Sequence, residues 1–375
     1  MLLENFHTKQ VFFTLIELCY RITRPKRGGL PKPPFLKIIV LFFLLMQGLA
    51  SIPLRADLHN DRLFFLNAKE VPWNECGRTH LCKINSKNMI LFFSIWRPPL
   101  PISSGRPWHL TKKQAIKQNK LSHWEFVKES LQNFERMFGS YSVYELNSFQ
   151  KRSRFTGIEG AYLISTDGKS LEERIAYLAK HNVAYVGLVW SNPNIYAGTF
   201  KEPKVGLKKK GKKLLKLLIQ HHIVPDFSHA SEKTVLDAYR MTKGKMPLFF
   251  SHSSAKALCN HPRNVSDRVL KLVKKTGGLV GINFYTRYLC RKKSTAKDVA
   301  KHILHIARVA SENVIAYGSD FDGFIQLPKD VQNPSGYKNI EGVLMKHGKR
   351  KKFLQKLRKK NIQDFFQRFY RFSQK

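Results

Sequence analysis

Eight short apolar runs, most of them separated by helical patterns, constrain this sequence more than any other feature. They lie at 54–59, 88–95, 154–159, 183–189, 222–227, 247–251, 278–283 and 314–318 and are rich in Val, Ile, Leu and Phe. Their apolar residues are nearly continuous rather than alternating, as in parallel strands buried on both faces. Helical spacing follows in the gaps: Leu171, Ile175 and Leu178 within 169–180, and Leu214, Leu215, Leu217 and Leu218 within 206–221. Val269, Leu270 and Val273 within 265–276, and Val299, Ile303, Ile306 and Val309 within 298–310, repeat the pattern. Eight strands alternating with helices predict an α/β chain folded as a TIM-like (β/α)8 barrel. A doubly wound open sheet is the runner-up, and no Gly-x-Gly-x-x-Gly follows the first run. The 375 residues leave room for one such barrel and additions to it.

The additions are legible as departures from that rhythm. Residues 66–150 are the least regular part and read as an elaborated region around the second strand. They include Arg97-Pro98-Pro99-Leu100-Pro101 and a long helical candidate near 112–139. From about Lys346 the tail is strongly basic, yet Phe353, Leu354 and Leu357 keep helical spacing. At the other end, Lys37 precedes the apolar run 38–46 and then Gln47-Gly48-Leu49-Ala50, the layout of a leader cut after a small residue. Residues 1–50 are therefore expected to be a signal segment and 51–375 the barrel domain. The protein is expected to be exported: periplasmic, secreted, or held at a membrane by an uncleaved leader. The alternative is that 38–46 is a buried first element of the fold. The run is shorter than the ~20 apolar residues that a spanning helix needs.

Cysteine usage agrees with export. Of Cys19, Cys76, Cys82, Cys259 and Cys290, a cut after Ala50 removes the first and leaves an even number. No Cys-x-x-Cys pair is present, which argues against a structural zinc knuckle. Lys and Arg total 66 against 26 acidic residues, a net charge of +40. Such a field attracts polyanions, here acidic envelope polymers, or it simply reflects solvated lysines on helix faces. No aromatic-interleaved RNA-binding signature accompanies it, so nucleic acid is not the expected partner.

The chemistry sits where the apolar runs end. Asp57-Leu58-His59-Asn60-Asp61 closes the first run, and residues i and i+2 of a strand point the same way, so His59 and Asp61 project together. Glu159 closes the third between Gly157 and Gly160, and His229 and His252 follow the fifth and sixth. Asp320 follows the eighth within Gly318-Ser319-Asp320-Phe321-Asp322-Gly323. In α/β barrels the C-terminal strand ends form the active-site face. Imidazoles and carboxylates gathered there suit a pair of divalent cations such as Zn²⁺, with Glu159 able to bridge them. Asp320 could be a ligand or a general base, while Asp57 and Asp322 could simply tie turns.

Taken in order, these pieces resemble the membrane dipeptidase (renal dipeptidase) family of zinc metallopeptidases. The resemblance runs from about Leu54 to Gly323 and adds His261-Pro262-Arg263-Asn264-Val265-Ser266-Asp267 and Gly281-Ile282-Asn283-Phe284-Tyr285 to the strand ends. It implies two Zn²⁺ per chain, one on His59 and Asp61, the other on His229 and His252, with Glu159 bridging. It implies hydrolysis of dipeptides by a hydroxide between the metals, with Asp320 handling the proton passed to the leaving amine. Arg263 would grip the substrate's terminal carboxylate, Tyr288 would contact substrate, and Cys259 and Cys290 would form a disulfide, the alternative being two buried thiols. A homodimer is also implied.

One position departs from the pattern. Where renal-type members carry a substrate-contacting His after the fourth strand, this chain has Trp190. An indole offers only an N–H. Either it substitutes, another residue does, or the substrate differs; Trp190 could equally be a plain pocket wall. Two further readings therefore stay open: another amide or lactone hydrolase on the same binuclear site, and a catalytically idle basic barrel that binds polyanions.

Overall fold

Each of the eight apolar runs carries one strand, and the strands close on themselves in sequence order as a parallel barrel, β1 to β8. The computed structural model describes residues 53–68, 88–105, 108–145, 149–150, 152–165 and 170–375. The proposed leader 1–50, with Cys19, and the segment holding Cys76 and Cys82 lie outside these. In chain order the elements are β1 (Arg55–Asn60), α1 (Arg62–Ala68), β2 (Met89–Ile95), α2 (Lys112–Asn119), α3 (His123–Phe138) and β3 (Arg154–Ile158). Then come α4 (Leu171–Lys180), β4 (Val183–Gly187), α5 (Lys209–Gln220), β5 (Val224–Asp226), α6 (Glu232–Met241) and β6 (Phe249–Phe250). The chain finishes with α7 (Asp267–Thr276), β7 (Leu279–Ile282), α8 (Ala296–Val309), β8 (Ile315–Tyr317), α9 (Tyr337–Lys346), α10 (Lys351–Gln355) and α11 (Asn361–Ser373). Closure between last and first strand runs through Asp57 opposite Tyr317. This is a TIM-like (β/α)8 fold. Among the described residues, no helix is long and apolar enough to cross a membrane.

Every strand residue is buried, which is why the runs lack alternation. The helix expected near 112–139 is two helices. Ser122 interrupts it because its hydroxyl accepts from the Glu125 N–H (3.1 Å) while the Glu125 carboxylate accepts from the Ser122 N–H (2.8 Å). That reciprocal cap starts a new helix more favourably than Ser122 could continue an old one. Both helices lie between β2 and β3, so the elaboration does sit at the second strand. Helices α6 and α9 were not anticipated; α6 buries only Thr234, Val235 and Ala238, too sparse a stripe to stand out.

The basic tail is part of the core. Phe366 of α11 stacks on Phe92 of β2 (5.6 Å) and Phe365 stacks on Phe249 of β6 (5.0 Å). Arg358, between α10 and α11, donates to both carboxylate oxygens of Glu341 at 2.9 Å. Arg55, at the start of β1, donates to the same carboxylate at 2.8 and 2.6 Å. One buried carboxylate on α9 therefore joins the first strand to the tail, at the end of β1 opposite His59. Although burial alone raises the Glu341 carboxyl, the two guanidinium groups outweigh it and hold its pKa below the usual value.

Removing that carboxylate as Glu341→Ala should cost about 3–5 kcal/mol, because two buried cations lose their shared anion. Since the folded-state pKa is depressed, this stability is fully present above the unfolded value of about 4.3 and is lost as pH falls through the folded value. Denaturant unfolding across pH 3–7 should show Glu341→Gln with both a lower plateau and a shallower acid limb; a mutant curve parallel to wild type would contradict this.

Candidate metal centre

Two pairs of strand ends are built alike. At the β1–β8 seam, Asp57 accepts from the Ser319 N–H (2.8 Å), the Ser319 hydroxyl (2.5 Å) and the Tyr337 hydroxyl (2.6 Å). Asp57 thus ties turns, as one of its two readings had it. The tie brings the neighbouring chain segments into register: the Asp320 N–H donates to the His59 carbonyl (3.1 Å) and the Asp61 N–H to the Phe321 carbonyl (2.9 Å). At the β5–β6 seam, Asp226 accepts from the Ser228 and Ser251 N–H groups (2.9 Å each) and from the Ser251 hydroxyl (2.5 Å). That tie sets His229 and His252 side by side, Nε2 to Nε2 at 3.1 Å.

Glu159, just past β3, faces all three imidazoles. Its Oε1 lies 2.8 Å from His229 Nε2 and 3.2 Å from His252 Nε2, and its Oε2 lies 3.7 Å from His59 Nε2. His59 Nε2 is also 3.7 Å from Asp61 Oδ1. Ligand atoms of His59, Glu159 and His252 cluster within 4.8 Å of one another, as do those of His59, Asp61 and Asp320. All six side chains are buried. Asp320 is oriented by Asn283, whose amide donates to Oδ2 (3.0 Å). A Cβ on Gly323 would fall 2.3 Å from Asp320 Oδ1 and 2.8 Å from Asp61 Oδ2, so only glycine lets the turn pass this close. His229 (φ 67°) and Asp320 (φ 64°) hold the left-handed backbone region without being glycine. Strain of this kind persists where the surroundings over-determine it, commonly at active sites.

The proton positions on the imidazoles follow from their outer partners. The Tyr185 hydroxyl donates to the Leu58 carbonyl (3.0 Å), so at His59 Nδ1 (3.1 Å) it can only accept. His59 therefore carries its proton on Nδ1 and turns Nε2 towards the carboxylates. Ser251 donates to Asp226, so it accepts from His252 Nδ1 (2.7 Å), and His252 Nε2 likewise faces inward. Anchored Nδ1–H groups with inward Nε2 atoms are the usual preparation of a histidine metal ligand. Glycine at 157 makes the first anchor feasible, because a Cβ there would stand 2.1 Å from the Tyr185 ring. Gly157 thus admits a protein side chain.

The electrostatics describe a site with surplus negative charge. Burial alone raises the Glu159 carboxyl, yet His59, His229 and His252 hold it well below the usual range. Burial and then Glu159 push Asp61 well above it. Asp320 is pushed up to about 6, by burial and by Glu159 against the pull of His59. Burial disfavours charge on His59, but Glu159, Asp61 and Asp320 outweigh it and raise the pKa to about 9. His229 is lowered to about 3 by burial and Arg263, and His252 is lowered well below its ordinary value by burial, His59 and Arg263. Two neutral imidazoles and crowded carboxylates, with His59 Nε2 and Asp61 Oδ1 lacking any hydrogen-bond partner among the described residues, fit divalent cations. Such ions relieve this kind of crowding. The donor set of nitrogen and carboxylate oxygen suits zinc-like metals.

Across the site, Arg263 is buried with Nε and Nη2 unpartnered among the described residues, while Nη1 donates to Ser253 (3.0 Å). Its guanidinium lies 5.7 Å from the centre of the half-buried Tyr288 ring. Cys259 and Cys290 are joined by a disulfide that links the segments bearing these two residues. Trp190 is half-buried, its ring 6.3 Å from His229, 5.2 Å from Trp96 and 6.5 Å from Tyr162. The structure thus brings His59, Asp61, Glu159, His229, His252 and Asp320 into one cluster, with Arg263 and Tyr288 on one side and Trp190 on another. Sequence reasoning missed Tyr185, Asn283 and the two Asp–Ser ties. A signal existed for the ties: a serine directly precedes both His252 and Asp320.

A (β/α)8 barrel with a buried His and carboxylate cluster at its strand ends defines a metal-dependent hydrolase. The chain belongs to the membrane dipeptidase family, peptidase family M19, whose model matches residues 54–373, and it is accordingly a dipeptidase of the metallopeptidase class. An uncharacterized dipeptidase of Schizosaccharomyces pombe is 28% identical over 324 residues, covering 83% of this chain and 77% of that protein. The solved dipeptidase AC, a metallopeptidase, superposes with TM-score 0.69 at 23% identity, covering 85% of this chain and 99% of its own. A metallopeptidase from Rhodobacter sphaeroides, solved with a phosphinate mimic of the dipeptide L-Ala-D-Ala, gives TM-score 0.69 at 22% identity, covering 85% of this chain and 100% of its own. At these identities the two structures speak to the fold.

The Asp226–Ser251–His252 relay yields a test. Ser251→Ala removes the acceptor for His252 Nδ1–H and should weaken metal affinity about 10- to 100-fold with the fold intact. Competition with a zinc chelator, read beside circular dichroism, checks this; wild-type affinity in the variant would show that the relay does not orient His252.

Proposed function

We propose that the protein is a zinc-dependent dipeptidase that binds two Zn²⁺ per chain. His59 and Asp61 would hold one ion and His229 and His252 the other, with Glu159 shared. The observation that carries this is Glu159 itself, one oxygen facing His229 and His252 and the other facing His59. When bound, the metals supply the Lewis acidity that polarises a peptide carbonyl and activates water. The remaining work falls to the chain. Arg263 offers two unpartnered donor nitrogens, a fork that matches the free carboxylate of a dipeptide and sets its length. Tyr288 flanks that carboxylate through its ring. Asp320, held by Asn283 and able to exchange a proton near neutral pH, takes a proton and passes it to the leaving amine.

A substrate with a D-configured C-terminal residue fits the same reading, since the Rhodobacter sphaeroides protein was solved with a mimic of L-Ala-D-Ala. Residues 1–50 are read as a leader that exports the domain 51–375, and the disulfide Cys259–Cys290 suits an oxidising compartment. There the chain would act as a homodimer, its basic surface meeting anionic envelope polymers.

Metal analysis of the purified chain, with L-Ala-L-Ala and L-Ala-D-Ala as substrates, tests the core of this. About two zinc ions per chain are expected, with turnover, and His252→Ala should lower the metal content and abolish activity. A His252→Ala protein that keeps its full metal content would refute the assignment of that ligand. Zinc-loaded protein inert to every dipeptide would refute the substrate class and leave other amides or lactones to be tried.

A further inference from the structure

A wall of aromatic rings stands beside the metal cluster, and the chemistry above does not use it. Trp96, one residue past β2, is its centre: its ring lies 5.2 Å from Trp108, 5.2 Å from Trp190 and 5.5 Å from Phe64. Phe324, past β8, closes the patch at 5.6 Å from both Trp108 and Phe64. Trp108, Trp190 and Phe324 are only half-buried. The patch reaches the reacting centre through Trp190, 6.3 Å from His229. A cleft of about 420 Å³ is lined by the chain after β8, from Asp322 to Gln332, and touches the wall at Phe324. In the middle of the wall the Trp96 indole N–H is buried with no acceptor among the described residues. Such a donor costs free energy unless a ligand oxygen meets it.

The position of the wall relative to Arg263 gives it a direction. The strands follow one another round the barrel from β1 to β8, so β2 and β6 are diametrically opposed. Trp96 follows β2, whereas Arg263 follows β6. A dipeptide whose carboxylate is held by Arg263 and whose peptide bond lies over the metal cluster points its N-terminal residue towards the β2 side. Flat rings meeting at tilted and edge-on angles accept another ring more readily than a charged or very small side chain.

We propose that this wall binds the side chain of the substrate's N-terminal residue and makes the enzyme selective for dipeptides that begin with an aromatic residue. The inference rests on the dipeptidase reading above. Trp190 is then a specificity residue, and it belongs with Trp96, Trp108, Phe64 and Phe324 as parts of one surface.

The test compares kcat/KM of the zinc-loaded protein for L-Phe-L-Ala and Gly-L-Ala. Burial of a phenyl ring against the wall should favour the first by about ten- to a hundredfold. Trp108→Ala, at the rim of the wall, should lower that ratio by about tenfold. Trp108→Phe should keep most of it, which separates loss of the ring from loss of the fold. Equal kcat/KM for the two dipeptides, or a ratio unmoved by Trp108→Ala, would overturn the inference while leaving the dipeptidase reading in place. Failure to cleave either substrate or any other dipeptide would overturn the dipeptidase reading and this inference with it.

Discussion

The site depends on one buried carboxylate. Glu159 meets three imidazoles from three other strand ends, at 2.8, 3.2 and 3.7 Å. A carboxylate taken out of water this completely is tolerated only if positive charge or donors surround it. That requirement dictates much of the remaining geometry. His59 must be held from behind, which calls for Tyr185, which in turn needs Gly157 to have no side chain. His252 must be held from behind too, which calls for Ser251 and Asp226. Burial and Glu159 raise Asp61 and Asp320, while the carboxylates outweigh burial and raise His59. The burial, the pKa directions and the inward Nε2 atoms are therefore aspects of a single constraint.

The barrel makes such precision achievable because its two functional seams are stitched by the same device. Asp57 with Ser319, and Asp226 with Ser251, each link two strands directly behind the residues that point into the site. The partners of the first tie are 262 residues apart in sequence, so the site exists only once the barrel has closed. Tyr337 of α9 adds a bond to Asp57, and Glu341 of the same helix joins Arg55 to Arg358. The C-terminal segment thus braces the seam from below while the reactive groups line it from above. That explains why so basic a tail keeps a buried apolar stripe: Phe365, Phe366 and Phe369 are needed inside the molecule.

These physical differences also mark what the sequence could reveal. Strands buried on both faces leave a local signature, and all eight fell inside or beside the apolar runs. His59, Asp61, Glu159, His229, His252 and Asp320 were legible because a polar residue closing an apolar run has few reasons to be there. Tyr185 was not, because a tyrosine inside a strand looks like core until its partner across the barrel is known. The Asp–Ser ties and Asn283 are pairings between distant segments, and the serine before His252 and before Asp320 marks only one partner of each tie. The break at Ser122 was missed for a different reason: capping competes with periodicity over one turn, and the apolar spacing on either side masked it. The aromatic wall collects residues from five separate segments and becomes visible only when the barrel assembles them.

The extreme charge and the site act over different distances, and this separates their roles. Lys209, Lys210, Lys212, Lys213 and Lys216 lie exposed along α5, on the outer ring of helices. At physiological ionic strength exposed charges are screened beyond about 8 Å. Such lysines can speed or localise encounters with anionic material, but they cannot set protonation at a buried cluster. Within the protein, burial chiefly depresses His229 and His252, with Arg263 adding to it at both and His59 at His252. Holding those imidazoles neutral is a condition for metal ligation, and a guanidinium able to grip a carboxylate sits beside them. One buried arginine therefore bears on the protonation of the candidate metal ligands, whereas the exposed lysines behind the net charge of +40 do not.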